Sequence, residues 1–416
     1  MADLDVLIIG GGITGLTQTV ALADAGFAVA CVDPQPAEPA AAETLDGRTT
    51  ALLQGSVTLL DRLGVWDHVR PAAAALRVMR IVDESGRPRD RPLTARFDSR
   101  DLGGGPFGYN VPNAALRRAL LARLHTMANG QHLAGRSAEA IRFDARRSAV
   151  DLSDGTTLTA HLIVGADGKH SPTRESAGLS ARRWGYGQTA MAFSIAHTRP
   201  HDNVSVEFHR SSGPFVLVPL PGNESSVVWV ERDRAASRFL EMDDAAFRRA
   251  VQARTRGVVG TVSAVGRRWN YPAMSLLAER YAGHRVALVG EAAHATPPIG
   301  AQGLNLGMTD VAVLTETLVD ARASGMDIGT EAVLRGYERA RRTDVLARVA
   351  AIDGLNWAVM SKLPPVQVLR HLGLSVVDRV GRVKTELMRR GMAPLGARPA
   401  LMAPAPGTSD GSPTES

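Results

Sequence analysis

The stretch Asp5-Val6-Leu7-Ile8-Ile9-Gly10-Gly11-Gly12-Ile13-Thr14-Gly15-Leu16 decides how the rest of the chain is read. Its apolar run is the length of a buried strand and ends on three glycines, after which Leu16 to Ala25 shows helical apolar spacing. Ala28 to Asp33 reads as a second strand, and its terminal acid lies 18 residues beyond Gly15. Strand, glycine turn, helix, strand and acid together open a nucleotide-binding parallel sheet. Gly10 permits the tight turn, Gly12 admits a pyrophosphate against the backbone, and Gly15 lets helix and strand pack closely. The helix N-terminus adds unpaired N–H groups and the positive end of its dipole. Asp33 is placed to accept both ribose hydroxyls of an adenosine. The spacing predicts a bound dinucleotide and leaves FAD and NAD equally open.

Outward from this unit, Pro34 to Asp46 reads as a loop, Thr50 to Leu63 as a helix and Asn113 to Met127 as a longer one. Two strands flank the turn Asp154-Gly155, and Leu162 to Ala166 forms a further strand that ends at Asp167-Gly168. Between Gln188 and Trp229 the pattern alternates (Met191, Phe193, Ile195; Val204, Val206, Phe208), and Phe215 to Leu220 and Val227 to Val230 continue it, so a β-rich unit is expected. Arg285 to Gly290 returns to a buried strand, and Leu304 to Arg322 is a helix closed by Gly325. The expected class is α/β. A discontinuous Rossmann-like domain takes residues 1–75, 109–180 and 277–352, with a mostly β insertion at 76–108 and 181–276. Helices at 353–395 and a disordered tail at 396–416 complete the expectation.

With 416 residues, 44% of them apolar and 22% charged, the chain is ordinary globular material and not a disordered or fibrous one. A single cysteine, Cys31, permits no intrachain disulfide and no multi-thiolate metal site. The apolar runs fall short of the roughly 20 residues of a membrane span, and the N-terminus lacks the pattern of a secretory signal, so a cytoplasmic location is expected. The net charge is +6, with 45 of 48 basic residues being arginine, and the basic residues are spread instead of forming a nucleic-acid stripe. The exception is Lys362 to Arg398, where eight basic residues face two acidic ones. That segment reads either as a solvated helical face or one packed against the nucleotide-binding domain, or as a contact with an anionic membrane or a protein assembly.

Two further glycine-rich stretches carry a resemblance. Ile163-Val164-Gly165-Ala166-Asp167-Gly168-Lys169-His170-Ser171 and Gly290-Glu291-Ala292-Ala293-His294-Ala295-Thr296-Pro297-Pro298-Ile299-Gly300-Ala301-Gln302-Gly303-Leu304-Asn305 are similar to motifs of the single-component flavin-dependent aromatic hydroxylases, the p-hydroxybenzoate hydroxylase type. Within that family the chain most resembles the ubiquinone-biosynthesis hydroxylases. The supporting stretches include Asp46-Gly47-Arg48-Thr49-Thr50-Ala51-Leu52, Gly108-Tyr109-Asn110, Tyr186-Gly187-Gln188-Thr189-Ala190 and Gly213-Pro214-Phe215-Val216-Leu217-Val218-Pro219-Leu220.

The resemblance implies non-covalent FAD in a domain of the glutathione reductase and p-hydroxybenzoate hydroxylase type. It implies NADH, NADPH or another donor as the source of electrons, and O2 adding at flavin C4a. The substrate it implies is a polyprenylated phenol hydroxylated in ubiquinone biosynthesis. Another aromatic or polyketide substrate, or a non-catalytic flavoprotein in a quinone-pathway assembly, are the alternatives. By resemblance Asp167 serves both FAD and the nicotinamide, Arg48 and Asn113 touch the flavin, and Gly290, Glu291, Gly300, Gln302, Gly303, Leu304 and Asn305 complete the cradle. Glu291 stands where many members have aspartate. Pro297 and Pro298 shape the pocket on one flavin face, and His294 is either a proton relay or a structural residue. Phe215 and Leu217 are expected to line the substrate pocket or, alternatively, to belong to ordinary sheet core. The alternatives are a solvated Arg48 and an Asn113 that caps its helix. No metal and no nucleic acid are expected. A lipid-tailed substrate makes a quinone-pathway assembly, or a peripheral contact at the inner face of the membrane, part of the expectation.

Overall fold

The computed structural model describes residues 4–36, 48–84, 93–361, 381–392 and 396–404, with a few single positions between 363 and 373. Leu4–Ile9 lies inside an eight-stranded sheet, paired in parallel with Val29–Asp33 on one side and with Thr157–Gly165 on the other. It is a buried strand because both parities of its sequence are apolar. Val6 and Ile8 point into a core shared with the helices Ile13–Asp24 and Gln302–Ala323, while Leu7 and Ile9 meet Val150, Leu152 and Ile163 on the opposite face. Val286–Leu288 extends the sheet in parallel beyond Thr157–Gly165, and Gly130–Ala134 extends it beyond Val29–Asp33. Residues almost three hundred positions apart thus build one layer. The carboxyl ends of its central strands deliver Gly10, Asp33, Ala166 and Asp167 to a common edge.

A second sheet of nine strands runs through Trp269–Ala278, Ala181–His197, Glu224–Arg232, Phe215–Leu220, Val204–His209, Val78–Asp83 and Leu93–Asp98, in that spatial order. One of its faces is closed by the helices Asp233–Leu240 and Asp244–Arg254. Trp229, Phe215, Phe193 and Phe247 pack there, with Trp229 stacked 6.0 Å from Phe247. A small sheet of Thr49–Leu53, Gly108–Pro112 and Ala74–Leu76 lies between the two large ones.

Three expectations are corrected. The expected helix from Thr50 to Leu63 starts as the strand Thr49–Leu53, paired with Gly108–Pro112, and only Gln54–Arg62 is helical. The boundary drawn at 352/353 falls inside the unbroken helix Glu331–Met360. The tail expected to be disordered from 396 is folded at its start. Ala400–Met402 makes a short helical turn whose Met402 is buried in the main core, and the Leu401 N–H donates to Glu316 at 2.8 Å. Most of the loop expected at Pro34 to Asp46 lies outside the described residues, as do Lys362, Val368, Leu369, Leu372, Leu374 and Arg379 of the basic segment.

Candidate functional site

The glycine turn, the strand ends and the second sheet enclose one cavity of about 1850 Å³. Pockets for a single small ligand usually measure roughly 300 to 1,000 Å³, so this space takes an extended dinucleotide and a second ligand. Gly10 and Gly12 line it at the turn before Ile13–Asp24. A side chain on Gly15 would collide with the Gly10 carbonyl, which is why that helix can lie so close to the turn. On Gly12 a side chain would meet no protein atom and would stand in the cavity itself.

Asp33 closes this end. Its Oδ1 accepts from the Gln35 N–H at 2.9 Å and its Oδ2 lies 3.5 Å from the Arg117 guanidinium. Arg117 and Gly11 were not singled out from the sequence. Arg117 sits one turn after Asn113 on the helix Asn113–His125, a spacing that marks it as facing the same side. Arg48 and Asn113 also line the cavity. Asn113 is the first residue of its helix, not the cap, and its carboxamide oxygen accepts from the Thr50 hydroxyl at 2.8 Å.

Asp167 carries the plainest mark of a ligand-binding group. One carboxylate oxygen accepts from the Thr173 N–H at 2.9 Å, while Oδ1 is buried at the cavity lining with no partner among the described residues. A buried carboxylate oxygen without a donor is costly, and a ligand hydroxyl or amide is what would satisfy it. Opposite, Gly290, Glu291, Pro297, Pro298, Gly300, Gln302, Gly303 and Leu304 line the cavity where Gln302–Ala323 begins. The amino end of a 22-residue helix is therefore aimed at the ligand space. Gln302 is clamped there, accepting from Arg348 at 2.9 Å and donating to the Gly300 carbonyl at 3.1 Å.

The geometry places four of the expected residues away from the lining: Asn305, and His294, Phe215 and Leu217, for which an interior role was the alternative. His294 is buried with its Nε2 2.6 Å from Asp310, whose other oxygen accepts from Arg341 at 2.7 Å, so the ring belongs to an interior network. Asp310 also accepts from the Gly290 N–H at 2.9 Å, which ties that network to the cavity wall. Burial opposes ionisation of Asp310, but the neighbouring His294 and Arg341 charges outweigh it and hold the carboxyl below its ordinary range. Asn305 is likewise turned into the protein. It accepts from the Leu53 N–H and the Ser56 hydroxyl and donates to the carbonyls of Ala51 and Ala301, which pins Thr49–Leu53 against the helix. Phe215 and Leu217 are core residues under the two covering helices, and Val216 and Val218 of the same strand face the cavity instead.

The second half of the cavity is mostly apolar. Leu76, Met79, Phe97, Phe107, Val216, Val218 and Trp269 line it, and Leu387 and Met388 of the helix Gly381–Met392 close it from outside. Ser205 and Glu207 are polar exceptions on its sheet floor.

A glycine turn at the carboxyl end of a parallel sheet, a carboxylate with an open oxygen and a helix terminus, all facing one elongated cavity, define a dinucleotide-binding protein with a substrate chamber attached. The chain belongs to the FAD binding domain family, which it matches over residues 3–351. It is 39% identical over 395 residues to the ubiquinone hydroxylase UbiL of Rhodospirillum rubrum, an alignment that covers 95% of this chain and 91% of that protein. It is 30% identical to the 3-demethoxyubiquinol 3-hydroxylase of Escherichia coli, over 92% of this chain and 97% of the relative. Among solved structures, the p-nitrophenol 4-monooxygenase PnpA of Pseudomonas putida shares the fold with a TM-score of 0.78 at 20% identity, over 95% of this chain and 100% of the other.

Proposed function

We propose that this chain is an FAD-dependent monooxygenase that hydroxylates the aromatic ring of a polyprenylated phenol in ubiquinone biosynthesis. The observation that carries the reading is the continuity of the cavity, which joins a dinucleotide cradle to an apolar chamber large enough for a substituted ring. The names of the two hydroxylase relatives give the substrate class. FAD, reduced by NADH, NADPH or another donor, supplies the activation of O2.

The chain's own residues do the rest. The backbone at Gly12 takes the pyrophosphate, and Asp33, Asp167 and Glu291 accept from ligand hydroxyls. The amino end of Gln302–Ala323 stabilises negative charge that develops beside it. Arg48, Asn113, Pro297 and Pro298 bound the space where the ring meets the cofactor. Val216, Val218, Phe97 and Trp269 hold the ring and exclude water. Purified protein is expected to be yellow with non-covalent FAD and to convert a 2-prenylphenol to a catechol or hydroquinone in the presence of NAD(P)H and O2. Bound FAD without any phenol-dependent product would favour the non-catalytic flavoprotein instead.

A substrate with a lipid tail is met at a membrane surface. No helix among the described residues is long and apolar enough to cross one. Gly381–Met392 suits a peripheral contact. Met388 is buried toward the chamber, Leu387 is 47% exposed, and Arg382 and Arg389 are exposed beside it. Near an anionic leaflet each basic residue contributes roughly 1 kcal/mol within a Debye length. Replacing Arg382, Arg389 and Arg390 with glutamine is expected to reduce sedimentation with anionic vesicles at low salt while leaving FAD content intact. Equal sedimentation of parent and variant at low and high salt would remove the membrane and leave a protein assembly as the partner.

A further inference from the structure

The strand Val204–His209 alternates cleanly: Val206 and Phe208 enter the core beneath the covering helices, and Ser205 and Glu207 face the cavity. Across the sheet Glu207 stands in one row with Val216 and Val228, both in the cavity lining, and with Ile81 on its other side. Neighbouring strands lie about 4.8 Å apart, so the carboxylate rises from the floor of the apolar chamber. Glu207 is 9% exposed and lines that chamber. Among the described residues its side chain has one hydrogen-bond partner, the His209 ring, with Nε2 3.2 Å from Oε2. A carboxylate only accepts, so His209 donates and holds one oxygen in place.

A carboxylate with a single hydrogen-bond partner costs free energy in an apolar chamber unless a ligand adds to that partner. The geometry points to Glu207 as the base that takes the phenolic proton of the ring during hydroxylation, with His209 as its positioning residue. This inference rests on the hydroxylase reading. One atom of O2 enters the ring and the other leaves as water, with the two electrons supplied by NAD(P)H. Within that sequence the step assigned to Glu207 moves only a proton. The phenolic O–H bond breaks, its electron pair moves toward the ring as the new carbon–oxygen bond forms, and the proton ends on a Glu207 oxygen. A carboxylate is too weak a base for a resting phenol. It is strong enough once electron density leaves the ring and acidifies that hydroxyl, so the help arrives in the transition state.

Among the described residues of this sheet, Tyr271 is a further titratable group in the chamber lining, and the charged groups nearest Glu207 are paired. His209 lies opposite Asp83 on the neighbouring strand, and Asp83 is paired at 2.8 Å with Arg370. At the strand end Arg210 and Arg256 share Glu84, at 2.6 and 2.9 Å. None of these pairs puts a cation on Glu207.

The test uses a host whose own copy is deleted, so that the natural substrate is present whatever its ring pattern, followed by lysate assays between pH 7 and 9. The parental chain is expected to restore the quinone. Glu207→Gln, with equal abundance and FAD content, should convert the accumulated phenol roughly 100- to 10,000-fold more slowly. Its rate should rise about tenfold per pH unit, because only the ionised fraction of a phenol titrating near 10 then reacts, while the parental rate stays flat. Glu207→Asp should recover part of the loss. Parental conversion by Glu207→Gln overturns the assignment, and so does a slow rate that does not respond to pH, which marks a structural role. A parental chain that restores no quinone overturns the hydroxylase reading itself.

Discussion

Gly12→Val is expected to yield a folded protein that no longer holds FAD. The residue has φ −66° and ψ 176°, a conformation open to any side chain, and a Cβ there touches no protein atom within 4 Å. Nothing in the fold therefore resists the substitution. The valine instead projects into the cavity beside the unpaired N–H groups of Ile13–Asp24, where a pyrophosphate must approach the backbone. A parental far-ultraviolet spectrum and denaturation midpoint, together with a loss of more than about 100-fold in FAD affinity, about 2.7 kcal/mol, is the expected result. Gly15→Val should behave differently and fail to fold, because its side chain would strike the Gly10 carbonyl. A yellow Gly12→Val protein with full FAD occupancy would refute the placement of the cofactor.

Arg341→Leu is expected to remove a large share of the stability although Arg341 does not itself line the cavity. Arg341 is buried between Asp310 at 2.7 Å and Asp344 at 2.8 Å, and both carboxylates are buried with it. Breaking a buried pair costs about 3–5 kcal/mol, and because His294 still faces Asp310 and Arg348 still faces Asp344 the loss is expected toward the lower end of that range. The pH dependence follows from Asp310. Its carboxyl is held below the ordinary range in the folded protein, so the stability it contributes is present above the unfolded value, about 3.9, and is lost as pH falls through the folded one. Without Arg341 burial favours the protonated acid, so the gap between parent and variant should narrow as pH falls from 7 toward 4. Urea denaturation across that range measures it, and a gap that widens on acidification contradicts the assignment.

Much of the cofactor half could be read from the sequence because its logic is local. A buried strand, a glycine turn, a helix and an acid lie within thirty residues, and each constrains the next. The substrate half depends on contacts between distant strands. Phe215 to Leu220 is apolar at every position, so no alternation in its own sequence says which parity faces the cavity. The neighbouring helices settle it, covering Phe215 and Leu217 and leaving Val216 and Val218 to the chamber. Glu207 was hidden for a related reason: Val204, Val206 and Phe208 mark the core parity of their strand, and nothing in its own sequence says that the polar parity between them faces a ligand chamber. The strand Thr49–Leu53 looked helical because its partner, Gly108–Pro112, lies some sixty residues away. His294 and Asn305 sit inside a cofactor-like motif, yet their side chains turn inward, since residue spacing fixes where a loop goes more firmly than where each side chain points.

The central claim, that this chain puts an oxygen atom from O2 on the ring of a polyprenylated phenol, is tested most directly by isotope labelling in the deletion host. Cells carrying the parental chain, grown under ¹⁸O2, are expected to make quinone with a ring oxygen labelled in proportion to its expression, while cells without it accumulate the unhydroxylated phenol. Quinone made at the same level and with the same label whether or not the chain is present would contradict the account.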